Sequence, residues 1–270
     1  MGGLAVPLTP AAIERRVGSA SFGHRIFYYP TIGSTNERAL ELCAAGEPEG
    51  GLVLAEEQTA GRGRRDRAWV SRPYLGIYAS LILRPCVAAP GAPQFTLLAA
   101  VAAARALRLS CKLEARIKWP NDLVVDGRKI AGVLGEARGA SAQIGAMVIG
   151  LGINANHARE DFPGELRDTA TSVRIETGAP CDRVEILATL LEQIEQRYRR
   201  LLKDGPDSLL REWEALSTLP LGSVIVMRGP SPPVRGLFLG IDDEGALLLS
   251  GPDGATIRAP FGEVETSFSA

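Results

Sequence analysis

The stretch Ala60–Trp69, AGRGRRDRAW, sets Arg62, Arg64, Arg65 and Arg67 among Gly61, Gly63 and Ala68. Guanidinium forks match the oxygen pairs of carboxylates and phosphates, and glycines between them allow close backbone approach and unusual dihedral angles. Such a loop can wrap one anion with side chains and amide groups together, and phosphate is the natural candidate. The alternative is a basic turn that is simply solvated. No G-x-x-x-x-G-K-[ST] occurs in the chain, so this is not a standard phosphate loop.

A second stretch, KWPNDLVVDGRKIAG, begins with Trp119-Pro120-Asn121-Asp122, a rigid polar turn, and continues through the tight-hairpin signal Asp126-Gly127. Lys129 follows directly and enters an apolar run. It is either solvated or, facing a cleft, a compact positive charge beside a slot made by Ile130, Ala131, Gly132, Val133 and Leu134. An apolar molecule bearing one carboxylate suits that arrangement. Gly150–Ala155, GLGINA, formally matches a dinucleotide fingerprint, yet no helical pattern follows, and Asn154 with Asn156 marks a strand end entering a loop.

The elements that must carry these residues are short. HRIFYYPTIGSTNERALELCAAG reads as a strand, a turn and a helix capped near Ser34 or Thr35, with Glu37 in its first turn. GGLVLAEEQTAG is a strand running into the arginine loop, GIYASLILRP a strand ended by proline, and PQFTLLAAVAAARALRLS a helix. Residues after Ala115 form hairpin-linked strands, so an α+β domain with a mixed, largely antiparallel sheet flanked by helices is expected in place of a doubly wound one. The polar segment from His157 to Ala170 suits a mobile surface loop. DRVEILATLLEQIEQRYRRLLKDG places Val184, Leu187, Leu190, Leu191 and Ile194 on one helical face, with Asp182 at its start and Gly205 past its end, and DSLLREWEALS is a second helix. From Leu219 the texture changes to strands cut by Gly, Pro and Asp, the pattern of a small β-barrel. The expected division is a leader over 1–24, a catalytic domain over 25–218 and a C-terminal barrel over 219–270.

The whole chain of 270 residues carries 30 basic and 31 acidic residues, so no global charge draws it to nucleic acid or to an anionic membrane. Cys43, Cys86, Cys111 and Cys181 form no C-x-x-C pair, which argues for reduced thiols over a metal knuckle or redox dithiol. The longest apolar stretch is shorter than the roughly 20 residues of a membrane span, and the amino terminus lacks a signal-peptide layout, so a cytoplasmic location is expected.

Taken together and in order, GSTNERAL, EEQTAGRGRRDRAWVS, IKWPNDLVVDGRKIAGVLGEA and VIGLGINAN resemble the biotin protein ligases. The resemblance implies a class II synthetase-like catalytic fold with an SH3-like C-terminal barrel. It implies ATP-dependent activation of biotin to biotinyl-5′-AMP, with magnesium accompanying ATP, and transfer to a lysine of a biotin carboxyl carrier protein domain of acetyl-CoA carboxylase or a related carboxylase. Carried onto this chain, it makes Lys129, Arg64 and Arg62 the catalytic cations. It assigns biotin to Ser34, Thr35, Asn36, Gln58, Arg62, Gly63, Arg64, Lys129, Gly132, Gly150 and Gly152. It assigns the nucleotide to Arg64, Arg67, Trp69, Asn121, Lys129 and Asn154, with Asp122 as the candidate carboxylate near magnesium. On the residues alone, Ser34 and Thr35 are equally a helix cap, Trp69 a core tryptophan, and Asn121-Asp122 turn chemistry.

The chain departs from the family at Asp66, where a third glycine is frequent, and at Ala68, where a basic residue is. The regulatory members carry an amino-terminal DNA-binding domain for which this sequence leaves no room, so repressor activity and nucleic-acid partners are not expected; a homodimer stays open. The rivals are the lipoate ligases and octanoyltransferases, a binding-only sensor of biotin or nucleotide, and nucleic-acid binding through the arginine loop.

Overall fold

The computed structural model describes residues 7–17, 22–138, 143–229, 233–260 and 262–266. Strands β1 (Arg25–Ile32), β2 (Gly51–Gln58), β3 (Gly76–Leu83), β4 (Arg116–Lys118), β5 (Asp122–Val125), β6 (Arg128–Arg138) and β7 (Ala146–Asn154) form one sheet in the order β1-β2-β3-β7-β6-β5-β4. Only β1 and β2 pair in parallel, because helix α2 (Thr35–Ala44) makes the crossover between them. The other neighbours are antiparallel. Between β5 and β6 the turn residues Asp126 and Gly127 both have positive φ (47° and 77°), the conformation that the Asp-Gly pair predicts.

Alternation along β7 sorts the sheet into two faces. Met147, Ile149, Leu151 and Ile153 join the main apolar core with helix α3 (Ala92–Cys111), whereas Ala146 and Val148 pack with Ala39, Leu42 and Cys43 of α2. On that second face the series continues as Gly150, Gly152 and Asn154. Beyond the end of α2 the sheet therefore presents bare backbone, and that bareness positions the site.

After the short helix α4 (Val173–Thr177), the long helix α5 (Arg183–Asp204) packs on α3. Its Asp182 cap accepts from the amides of Val184 and Glu185, and Gly205 beyond its end has φ 80°. Helix α6 (Asp207–Leu216) buries Leu209, Trp213 and Leu216. The segment 157–170 is less free than its polarity predicts: His157 and Phe162 are buried and stack with ring centroids 5.1 Å apart.

The segment read as a leader contains helix α1 (Pro10–Val17), with Leu8 and Ile13 fully buried in the main core and Arg16 paired with Glu185 of α5. Its eight residues, PAAIERRV, carry only Ile13 and Val17 at helical spacing, too little periodicity to be read as an element. Residues 1–6 and 18–21 of that segment lie outside the described residues.

The C-terminal strands β8 (Val224–Arg228), β9 (Val234–Ile241), β10 (Leu247–Ser250), β11 (Thr256–Ala259) and β12 (Glu263–Thr266) form an antiparallel sheet in the order β11-β10-β9-β8-β12. Ile225, Met227, Phe238, Leu247 and Leu249 share one apolar cluster with Phe95, Leu97 and Trp119, and Trp119 Nε1 donates to Gly245 O at 3.3 Å. No helix among the described residues is long and apolar enough to cross a membrane.

Candidate functional site

The arginine loop leaves β2 and folds back on itself. Trp69 N donates to Gly61 O (2.8 Å), Gly63 N donates to Arg67 O (2.6 Å), and residues 64–66 form one 3₁₀ turn. The left-handed conformation inside this turn falls on Arg65 (φ 54°, ψ 44°) and not on a glycine. Gly61 and Gly63 serve close approach: a methyl group at Gly61 would collide with Trp69 O, and one at Gly63 would stand 3.1 Å from Arg67 O. The side chain of Asp66 is outside what the structure describes.

The four guanidinium groups diverge. Arg62 pairs with Glu136 of β6 (3.1 Å) and lies 3.8 Å from Glu37 of α2. Arg65 (3.3 Å) and Arg67 both take Glu263 of β12. Arg64 alone turns inward, its Nη1 donating to Asn121 Oδ1 at 3.2 Å. Burial pulls the Arg64 pKa below the usual arginine value, Arg65 and Arg67 add to that pull, and Asp122 opposes it.

At the start of α2, Ser34 caps the helix, with the Glu37 amide 3.5 Å from its hydroxyl. Thr35 donates to Gln58 Oε1 through N (2.9 Å) and Oγ1 (3.0 Å), and Gln58 Nε2 donates to Ser71 Oγ (2.9 Å). Ser80 of β3 contacts Thr35 Oγ1 (2.8 Å) and donates to Asn36 Oδ1 (2.6 Å), while Asn36 Nδ2 donates to Glu136 Oε2 (2.7 Å). The cap and the ligand readings of this segment are compatible, since only Ser34 is spent on the helix end. The Asn36 amide fills the space over Gly150, where a methyl group would collide with it.

Lys129 stands at the other end of the bare face. Its Nζ is 2.6 Å from Asp122 Oδ1 and 5.3 Å from the centre of the Trp69 ring. The indole lies on Gly132 and Gly152, with Cζ3 3.1 Å from a methyl group built at Gly132 and Cε2 2.5 Å from one at Gly152. Trp69 Nε1 is buried without a hydrogen-bond partner among the described residues. Asn154 spends its amide on Thr171 O (3.0 Å) and Lys129 O (3.5 Å), so it holds the start of β6 in place. Asn121 Nδ2 donates to Val133 O. Arg64, Asn121, Asp122, Lys129 and Trp69 thus meet at one end, and Thr35, Asn36 and Gln58 at the other, with the glycines between.

Among the described residues no group of three or more His, Cys, Asp or Glu could hold a metal ion. Asp122, engaged by Lys129, is a single carboxylate, a donor set that fits a cation brought in by phosphates and not an all-protein cage. Burial raises the thiols of Cys43, of Cys111 (to about 11) and of Cys181 (to about 12), so none of these three is poised as a thiolate nucleophile.

Ser71, Ser80 and Glu136 belong to the network and were not singled out in the sequence. Ser80 had a signal, the one small polar side chain within the otherwise apolar and aromatic strand GIYASLIL, and it is buried completely. Glu136 and Ser71 lie at the ends of IKWPNDLVVDGRKIAGVLGEA and EEQTAGRGRRDRAWVS, but nothing beside them in the sequence marks them for the site.

A family model described as the Biotin/lipoate A/B protein ligase family matches residues 28–154, and one described as the Biotin protein ligase C terminal domain matches residues 221–266. The Biotin--[acetyl-CoA-carboxylase] ligase of Paracoccus denitrificans is 39% identical over 229 residues, 83% of this chain and 93% of that protein. The Bifunctional ligase/repressor BirA of Bacillus spizizenii is 40% identical over 247 residues, 92% of this chain and 76% of that protein. The solved structure of a biotin protein ligase from Aquifex aeolicus in complex with biotin and ATP matches with a TM-score of 0.76 at 26% identity, over 90% of this chain and 98% of that one.

Proposed function

This chain belongs to the biotin protein ligases, and from that premise we propose how its residues share the work of the reaction. It is an ATP-dependent ligase. The biotin carboxylate attacks the α-phosphate of ATP, releasing pyrophosphate and giving biotinyl-5′-AMP; the amine of a carrier lysine then takes the biotinyl group and releases AMP. The acceptor in this proposal is the biotin carboxyl carrier protein domain of acetyl-CoA carboxylase or a related carboxylase.

The chemistry brings a carboxylate up to a polyanion, so its barrier is lowered by fixed cations that stand where charge is shared. In our reading Lys129 holds the biotin carboxylate and then the adenylate phosphate, and Arg64 stabilises the phosphate from the loop side. Trp69 packs against the adenine, and its unpartnered Nε1–H is a donor for a ligand oxygen or nitrogen. Thr35, Asn36 and Gln58, pre-oriented by Ser71, Ser80 and Glu136, address the ureido ring. Gly132, Gly150 and Gly152 keep the floor low enough for ligand and indole. Arg62, Gly63 and Arg67 close the loop, Asn121 steers Arg64, and Asn154 fixes the strand that bears Lys129. Magnesium, when bound with ATP, supplies neutralisation of phosphate charge, with Asp122 as its protein carboxylate. The catalytic unit comprises 25–218 together with helix α1, which packs into the same core, and the C-terminal unit is 219–270.

The observation that carries this reading is the meeting of Arg64 and Lys129, from two separate segments, around Asn121 and Asp122. The test is incubation with biotin, ATP, magnesium and a purified carrier domain, followed by intact mass. A gain of one biotinyl group on the carrier, absent when lipoate replaces biotin, supports it; labelling by lipoate alone, or none, overturns it.

A further inference from the structure

On the helical side of the sheet, α3, α5 and α6 enclose a groove of about 380 Å³ lined by Arg105, Arg108, Arg197, Arg200, Gln193 and Glu212. Of its four guanidinium groups, three approach one carboxylate, Glu212. Arg197 binds Glu212 Oε2 at 2.6 Å, while Arg105 and Arg200 stand off at 3.7 and 3.6 Å, and Arg108 pairs with the exposed Glu114 at 2.8 Å. Glu212 cannot neutralise three arginines, and its contact to two of them exceeds hydrogen-bond length.

The surplus is partly desolvated. Arg197 is only 9% exposed, and the Nε groups of both Arg105 and Arg197 are buried without a hydrogen-bond partner among the described residues. Buried donors on charged groups are costly when left unmatched, and planar forks with free N–H groups are matched best by oxyanions. The groove volume lies within the range of small-molecule sites. None of these residues touches the glycine floor, which is on the opposite face of the sheet.

We propose that this groove is a second anion site, which takes a small, multiply charged oxyanion of the polyphosphate or phosphate-ester class. Glu212 gathers the guanidinium groups in the free protein, and the ligand oxygens complete the donors that Glu212 leaves unmet.

The test is titration calorimetry of tripolyphosphate into the full chain, into the Arg105→Gln/Arg200→Gln double variant and into Arg64→Gln. Arg105 and Arg200 are exposed enough for the fold to survive, and biotin-dependent pyrophosphate–ATP exchange at the wild-type rate checks this. The expected result is binding to the wild type that weakens roughly tenfold or more in the double variant, the loss of two charge-assisted donors, and that persists in Arg64→Gln. Wild-type affinity in the double variant, abolition of all binding by Arg64→Gln, or no binding to the wild type would overturn the proposal.

Discussion

Trp69 lies so closely on Gly152 that a methyl group there would stand 2.5 Å from Cε2 of the indole. The ring's position is therefore set by the absence of a side chain two strands away from its own loop. Gly152→Ala should force the indole up, costing roughly 1–3 kcal/mol through overpacking, and should raise the KM for ATP. Gly164→Ala, which meets nothing within 4 Å, is the control. Equal ATP kinetics in the two variants would refute this role for the glycine floor.

Glu263 binds Arg65 and Arg67 together, tying the arginine loop to the C-terminal sheet. These are surface pairs, so Glu263→Ala should change global stability by no more than about 1 kcal/mol. Its effect should be local. Trypsin cleavage after Arg65 and Arg67 should accelerate, and activated biotin should leak to bystander lysines, as it should in Arg64→Gly. Unchanged proteolysis would show that the loop is held by its own turn alone.

His157 is fully buried beside Phe162, with Tyr78 Oη 3.4 Å from its Nε2. Burial lowers its pKa to about 4, helped by Arg72 and Arg183 and opposed by Asp161. The folded-state value lies below the unfolded one, so the unfolded chain binds the extra proton between the two. The contribution is complete above pH 6.5 and is lost as pH falls toward 4, an amount of about 3 kcal/mol. Denaturation at pH 7 and pH 4.5 should show a smaller acid loss in His157→Asn than in the wild type. Parallel losses would remove His157 as the cause.

Arg183 and Glu56 form an ion pair with side chains 2% and 1% exposed, 2.7 Å apart, and Glu56 also accepts from the Leu8 amide at 2.6 Å. Arg183→Met leaves a buried carboxylate uncompensated and should cost about 3–5 kcal/mol. Arg183→Met/Glu56→Gln should recover part of that loss. A double variant as unstable as the sum of the singles would show that the two charges are not coupled.

Much of this was legible along the chain. Asp126-Gly127 fixed its hairpin because two positive φ angles admit few residues, and Asp182 and Gly205 bracket α5 because helix ends need caps. Lys129, Arg64 and Trp69 stood out by type and spacing, and the fold brings them to one end of the glycine floor. What the order of residues cannot show is which arginine faces which anion. Arg67 finds Glu263 at a separation of 196 residues, and Arg62 finds Glu136 at 74. Helix α1 was hidden by its brevity, and the left-handed Arg65 by Gly61 and Gly63 just before it, which invite that conformation without adopting it.

In the proposed mechanism Lys129 and Arg64 act on the same developing charge. A double-mutant cycle of Lys129→Gln and Arg64→Gln, read by biotin-dependent pyrophosphate–ATP exchange with folding checked by circular dichroism, tests it most directly. Each single change should slow exchange by about 10²–10³. The double variant should be slowed far less than the product of the two, a coupling of about 1 kcal/mol or more. Effects that multiply would contradict it.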